Sequence, residues 1–310
     1  MIRGMRRDEI TAGVAARLVA EQFPQWADLP VTPVALNGWD NTTFRLGEGL
    51  LVRLPSGDGY AAAVDKEQRW LPTLATRLPL PIPAPVAMGQ PSGEYPWPWS
   101  IYRWIEGEPA SVGRIADLPR FAADVAGFLR ALHAIDAADG PPPGGHSAHR
   151  GGPLAYYDDE EIPESIQLLA QDLDPDAMTD VWQTALASTW EQAPVWVHGD
   201  VVGSNLLVAD GVLNGVIDFG CAAVGDPACD LVMAWTFFDG DSNEQFRRGL
   251  RLDEATWARG RGWALWKALI TILRSKKHDR DALAEASRFG WRHTPHQVID
   301  LVLADHRRSW

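Results

Sequence analysis

Residues 195–220 read VWVHGDVVGSNLLVADGVLNGVIDFG, an apolar stretch interrupted by Asp200, Asn205 and Asp218. Burying an unpaired carboxylate is costly, so three polar groups set among Val, Leu and Ile must meet one another, a metal or a ligand. NLLV and VLNGVID have the composition of short strands, and Ala209-Asp210-Gly211 between them carries an Asp-Gly pair that favours a tight hairpin turn. A hairpin brings Asn205, at the start of the first strand, next to Asp218, at the end of the second. Asp200 lies on the loop entering the hairpin, within reach of the same point. Two carboxylates and an amide oxygen converging there suit a hard divalent cation such as magnesium, which takes oxygen ligands and keeps water and phosphate oxygens in its shell.

Bulk properties narrow what such a site can serve. The chain has 310 residues, 46% of them hydrophobic, enough for one large domain or two lobes with substantial cores. The opening MIRGMRRDEI lacks the apolar core of a secretion signal, and no apolar run approaches the roughly 18 residues of a membrane span. Two cysteines, Cys221 and Cys229, are too few for a disulfide framework, read as packing residues, and suit a reducing cytoplasm, the expected location. A formal net charge of −13 argues against a nucleic-acid partner, which would call for clustered Lys and Arg. The distribution says more: between Arg150 and Arg247 there is no Lys or Arg, while eighteen Asp and Glu occur. The opening motif sits inside that interval.

Along the chain the text changes character. From Thr32 to Trp104 it reads as strands and turns (TPVALN, TTFRLG, GLLVRLP), interrupted by a helix over Tyr60 to Leu71. PLPIPAP, residues 79–85, reads as a connection. From Leu118 onward most segments have helical period, as in FAADVAGFLRALHAI and WALWKALITILR, and DGPPPGGHSAHRGGP reads as a mobile surface loop. The hairpin of the opening stretch is the one β island expected in the helical part. A small β-rich lobe therefore precedes a larger, mainly helical one, with the joint near Ile105 to Glu108.

Asp200, Asn205 five residues beyond it, and a downstream Asp218-Phe219-Gly220 form the pattern of kinase active sites. With HGDVVGSN in place of the protein kinases' HRD version and IDFG downstream, the chain resembles the aminoglycoside phosphotransferase family of small-molecule kinases. The resemblance implies an α+β, protein-kinase-like two-lobed fold. Residues 1–105 would form an N-terminal nucleotide-binding lobe and residues 106–310 a C-terminal catalytic and acceptor-binding lobe. It also assigns roles. Asp200 would orient and deprotonate the acceptor hydroxyl, and Asn205 and Asp218 would hold Mg2+. The turn carrying Gly38, Asp40 and Asn41 would cover the phosphates of ATP or GTP, although it lacks the GxGxxG of protein kinases. Arg53 stands where the family usually has Lys; it keeps the charge and adds a planar fork for phosphate oxygens, with Glu67 as its partner. Backbone groups near Arg103 and Ile105 would bond the adenine edge, with Tyr102 behind it.

Other polar residues have a structural reading beside the functional one. In this family's pattern His198 would brace the catalytic loop, and Gly203 and Gly220 would serve backbone geometry. Asp226 before Pro227 is a ready helix cap, and Asp230 would anchor the catalytic loop. His146 and His149 have no Cys or carboxylate at ligand spacing beside them. Trp235, Trp263 and Trp266 read as core, with some available to wall an acceptor pocket.

The expected function is transfer of the γ-phosphoryl group of ATP or GTP to a hydroxyl of a cationic small molecule. An acidic surface beside a polyanionic nucleotide is unfavourable unless something cationic belongs there. YYDDEEIPES, with Asp158, Asp159, Glu160 and Glu161, falls where the resemblance places the acceptor cleft. An aminoglycoside fits best, ahead of a macrolide and of a choline-like metabolite. A nucleotide-binding pseudokinase would be expected to have lost a metal ligand, a protein kinase to carry an Ala-Pro-Glu segment, and a metal-dependent hydrolase leaves the β-rich lobe unexplained. No nucleic acid or membrane partner is expected.

Overall fold

Thr11 accepts a hydrogen bond from the Val14 N–H and so starts helix α1 (Ala12–Gln22), whose Val14, Ala15, Leu18 and Val19 fall on one face and are buried. The structure is a computed structural model and describes residues 5–309 apart from 36, 37, 39, 158–160, 279 and 280. It contains two compact units, Met1–Glu106 and Gly107–Trp310.

In the first unit, β1 (Val31–Pro33), β2 (Asn41–Leu46), β3 (Leu50–Pro55), β4 (Pro85–Gly89) and β5 (Trp99–Arg103) form one antiparallel sheet in the order β1-β2-β3-β5-β4. Alternation along β2 buries Thr42, Phe44 and Leu46, and Val52 pairs with Phe44 across the ladder. Phe44, Leu46, Val52, Leu54, Trp99 and Ile101 join the buried face of α1 in one core. The same alternation sends Arg53, between Val52 and Leu54, to the opposite face of the sheet, where helix α2 (Asp58–Ala75) supplies Glu67. Strand β4 begins at Pro85, the last residue of the Pro-rich connection. It is an edge strand, paired on one side, so the missing N–H of Pro85 breaks no ladder that a central strand would need.

The second unit is mainly helical. Its helices are α3 (Leu118–His133), α4 (Glu161–Leu169), α5 (Pro175–Leu186), α6 (Met233–Thr236), α7 (Gly240–Leu250), α8 (Glu254–Lys277), α9 (Ala282–Arg288) and α10 (Pro295–Arg308). Helix α8 starts at the cap Asp253, which accepts from the Thr256 N–H, and is buried on all sides from Thr256 to Ile272 against α5, α10 and α4. The expected hairpin forms as β8 (Leu206–Ala209) and β9 (Val212–Val216), with Asp210 and Gly211 both at positive φ, 51° and 81°, in its turn. It is not the only β structure. Strand β6 (Glu108–Pro109) extends it, and β7 (Val195–Val197) pairs with β10 (Ala223–Gly225) in a separate two-stranded sheet. These pieces are two or three residues long, too short for any periodicity to register.

The Pro/Gly-rich segment 139–153 is not the mobile surface loop its composition implies. Its Pro141 carbonyl accepts from the Val224 N–H and its Gly151 carbonyl from the Asp226 N–H, both at 2.8 Å, while Ser147, Gly151 and Gly152 are buried. The small residues are there for close approach: a Cβ on Gly225 would collide with the Gly151 carbonyl oxygen. Gly225→Ala is therefore expected to cost about 1–3 kcal/mol, the range for forcing extra volume into a packed site, read as a lowered midpoint in chemical denaturation. An unchanged midpoint would show that the segment is loosely held.

Candidate active site

The loop that follows β7 is held by one carboxylate. Asp230, fully buried, accepts the His198 N–H at 3.0 Å and the Gly199 N–H at 2.7 Å. Two backbone donors on one buried carboxylate, out of reach of competing water, make strong, directional bonds. Asp230 belongs to the 3-10 turn Pro227–Leu231, which Asp226 caps by accepting from the Ala228 N–H at 3.0 Å. Asp226 in turn accepts from Arg259 Nε of α8 at 2.6 Å, with both side chains buried. The loop is thus tied through two aspartates to the central helix.

His198 spends both ring nitrogens on backbone. Its Nδ1 accepts from the Asp200 N–H at 3.2 Å, which leaves the proton on Nε2, and Nε2 donates to the Ile217 carbonyl at 3.0 Å. That ring links the loop to the end of β9 and has no nitrogen left to take a substrate proton. Asn205, also buried, turns its amide NH2 toward the loop, donating to the Asp200 carbonyl at 3.0 Å and lying 3.4 Å from Asp200 Oδ2. The Asn205 carbonyl accepts from the Ile217 N–H at 2.8 Å, so the start of β8 and the end of β9 are bonded side by side. Asp218 follows in the left-handed region (φ 66°, ψ 66°), a conformation open to Asp at modest cost, and the chain then turns through Phe219–Cys221.

Asp200 has a partner that the sequence reading does not include. Lys267 Nζ, from α8, donates to Asp200 Oδ1 at 2.5 Å; the lysine is buried and the aspartate partly exposed. Burial pushes the Asp200 carboxyl up, but the Lys267 ammonium, with smaller contributions from Arg150 and His198, outweighs it and holds Asp200 below the usual carboxylate range. Arg150 itself lies over the rings of Trp266 and Trp263, 4.2 and 5.2 Å from their centroids, and donates to the Tyr157 hydroxyl at 3.2 Å. Trp235, Trp263 and Trp266 are all buried. The available signal for Lys267 was a lysine inside the apolar run WALWKALITIL, since a buried lysine needs a partner.

Magnesium can be tested against these donors. Among the described residues no three His, Cys, Asp or Glu side chains gather into a metal-holding group. A cation here would rest on the Asn205 amide oxygen, left over once its NH2 is committed to the loop, and on the Asp218 carboxylate. Two hard oxygen donors, with water and phosphate completing the shell, fit magnesium, which seldom uses an all-protein cage.

In the first unit, Arg53 Nη1 lies 3.2 and 3.4 Å from the two carboxylate oxygens of Glu67, and the Tyr102 hydroxyl also donates to Glu67. Burial, then the Glu67 charge, pushes the Tyr102 phenol well above its ordinary value, so it stays a donor. Gln68 Nε2 donates to Ser100 Oγ at 2.9 Å and to the Ala87 carbonyl at 3.2 Å, pinning α2 to β4 and β5. Gly38 is exposed; the Asp40 carbonyl accepts the Ser56 N–H at 2.8 Å, and Asn41 opens β2 opposite Pro55. The Arg103 N–H is taken by the Ala84 carbonyl at 3.1 Å, so that group does not serve an adenine edge; Ile105 is half-buried. Asp158, Asp159 and Glu160 lie outside the described residues, as does the side chain of Glu161, the first residue of α4.

Comparison with known proteins agrees with the fold. No curated protein matches the sequence. Solved structures do. The GDP and kanamycin complex of APH(2")-IIia superposes with a TM-score of 0.69 at 20% identity, over 96% of this chain and 99% of that one. The streptomycin-ATP-APH(2")-IIa ternary complex gives 0.59 at 21% identity, over 94% and 99%. Macrolide 2'-phosphotransferase MphH from Brachybacterium faecium gives 0.61 at 20% identity, over 90% and 97%. The fold is therefore the kinase-like α+β fold of these enzymes, an antiparallel N-terminal sheet followed by a helical part. Residues 31–263 match the sequence pattern of the phosphotransferase enzyme family, APH, and the chain belongs to that family.

Proposed function

We propose that this phosphotransferase moves the γ-phosphoryl group of ATP or GTP to a hydroxyl of an amine-bearing small molecule, an aminoglycoside first and a macrolide second. The observation that carries the reading is the state of the HGD loop. His198 is spent on backbone, whereas Asp200 is ionised, partly exposed and fixed in place. A base for a substrate hydroxyl needs those three properties. The solved relatives support the donor and acceptor classes, since their complexes hold GDP, ATP, kanamycin or streptomycin, and one is a macrolide kinase.

In this reading Asp200 takes the proton of the acceptor hydroxyl as its oxygen bonds to the γ phosphorus. The bond from that phosphorus to the bridging oxygen breaks, and the nucleoside diphosphate leaves. Arg53, steered by Glu67, grips the α and β oxygens, and the turn of Gly38, Asp40 and Asn41 covers them. Asn205 and Asp218 would hold magnesium, which when bound would offset the negative charge of the phosphate oxygens. Backbone groups near Ile105 read the base. The reaction belongs in the cytoplasm, where both nucleotides are abundant; among the described residues no helix is long and apolar enough to cross a membrane.

Because Lys267 already matches the charge of Asp200, ammonium groups of the acceptor have to be recognised by other acids. Asp158, Asp159, Glu160 and Glu161 are our candidates, from the absence of Lys and Arg around them. Neutralising all four is expected to raise the acceptor KM far more than it lowers kcat. In the parent enzyme the KM should rise with salt, since exposed attraction is screened over about 8–10 Å at physiological ionic strength. A neutral acceptor, or a quadruple variant with unchanged KM and salt response, would remove the cationic-acceptor reading.

The decisive test of the base is Asp200→Asn. It should lose most turnover in an ATP- and GTP-consumption assay with kanamycin or erythromycin, yet bind nucleotide with parental affinity by calorimetry, because the group acts in the transition state. Near-parental turnover would mean that Asp200 is not the base.

A further inference from the structure

Helix α8 carries, at Asp200, a charged side chain that the reaction as described does not use. Lys267 is only 8% exposed, lies within the fully buried run Thr256 to Ile272 of α8, and sends its ammonium to Asp200 Oδ1 at 2.5 Å. Taking a lysine out of water is expensive, and packing alone is served as well by an apolar residue of similar length, so the pair calls for another explanation. Its geometry supplies one. The two oxygens of Asp200 are treated differently: Oδ1 meets a charged donor at close range, and Oδ2 has the Asn205 amide at 3.4 Å.

We propose that Lys267 is a positioning residue for phosphoryl transfer, which by holding Oδ1 fixes the plane of the Asp200 carboxylate and leaves Oδ2 to receive the acceptor's proton. This rests on Asp200 being the base. The torsion that turns an Asp carboxylate is soft and roughly two-fold, so a carboxylate with a single weak partner sweeps its oxygens through a wide arc. A partner anchored in a buried helix removes that freedom. A second contact from the same part of the chain works in the same direction. Beyond α9 the Phe289 carbonyl accepts the Ser204 N–H at 3.2 Å, and Gly290 lies so close that a Cβ would come 2.6 Å from Ser204 N. The Lys267 ammonium is 5.9 Å from the centre of the Phe289 ring. The C-terminal helices thus grip the catalytic loop at both ends, at Asp200 and at Ser204. Arg150 cannot take over the task, because its guanidinium is engaged with Tyr157, the Ala148 carbonyl and the two tryptophans.

The experiment uses the full chain and three variants, Lys267→Met, Lys267→Gln and Lys267→Arg. Phosphoryl transfer from ATP and GTP is followed with kanamycin, with erythromycin and with water as acceptors, alongside nucleotide affinity and thermal midpoint. Lys267→Met should lower kcat by about a hundredfold, the scale of a misplaced reacting group. Acceptor KM and nucleotide affinity should stay at parental values, and Lys267→Arg should recover most of the loss. In an Asp200→Asn background the same Met substitution should cost nothing further. If Lys267→Met does not fold, Lys267→Gln, which keeps a donor without the charge, carries the comparison. Parental kcat in the uncharged variants would overturn the proposal, and so would a fall in kcat matched by falls in nucleotide affinity and thermal midpoint, which would make Lys267 a packing residue. A parental enzyme that consumes neither nucleotide with any acceptor would instead overturn the phosphotransfer reading, and the role of Lys267 with it.

Discussion

The contact on which the catalytic half of the molecule depends is the pair of bonds from the His198 and Gly199 N–H groups to the Asp230 carboxylate. Those bonds end β7 and turn the chain so that Asp200 emerges from the core partly exposed. The His198 ring then reaches across to Ile217, and Asn205 bonds back to the Asp200 carbonyl. Each step uses groups whose orientation the previous step has set. A buried aspartate that accepts two backbone donors has hydrogen-bond partners without a lysine or arginine of its own. The cations of this region are free for other duties: Arg259 fixes Asp226, and Lys267 fixes Asp200.

This division of labour changes how the acidic character of the region is understood. The long interval without Lys or Arg holds many carboxylates, but Asp230 is held by backbone N–H groups and Asp226 and Asp200 by basic residues of α8, which lies beyond the interval in sequence. Counting charges along the chain therefore overstates the negative field at Asp200. Under the proposed cationic-acceptor reading, the attraction would have to come from carboxylates other than these three.

What the sequence made legible was whatever is local. The β8–β9 hairpin follows from an Asp-Gly turn between two apolar runs, and with it the adjacency of Asn205 and Asp218. The pairing of Arg53 with Glu67 was expected only through the family resemblance, which calls for a strand cation and a helical Glu to hold it. Lys267 was not, since it meets Asp200 across sixty-seven residues and only the packing of α8 brings them together. Composition misled at residues 139–153, where Pro and Gly signal a solvated loop but Gly151 is needed for contact with Gly225. Strands β4, β6, β7 and β10 were missed because an edge strand with a proline and fragments of two or three residues carry no pattern.

Helix α8 has one further consequence. It bears the guanidinium that steadies the Asp230 turn and, eight residues on, the ammonium that meets the Asp200 carboxylate, so it works as a gauge with two marks about 12 Å apart. Apolar side chains between the marks, such as Leu265, can be exchanged for others of similar volume without moving either one. Adding or removing a single residue there would rotate one mark by about 100° relative to the other and detach one end of the loop from its support. Within this helix, length is a tighter constraint than identity, and deletions are more dangerous than replacements.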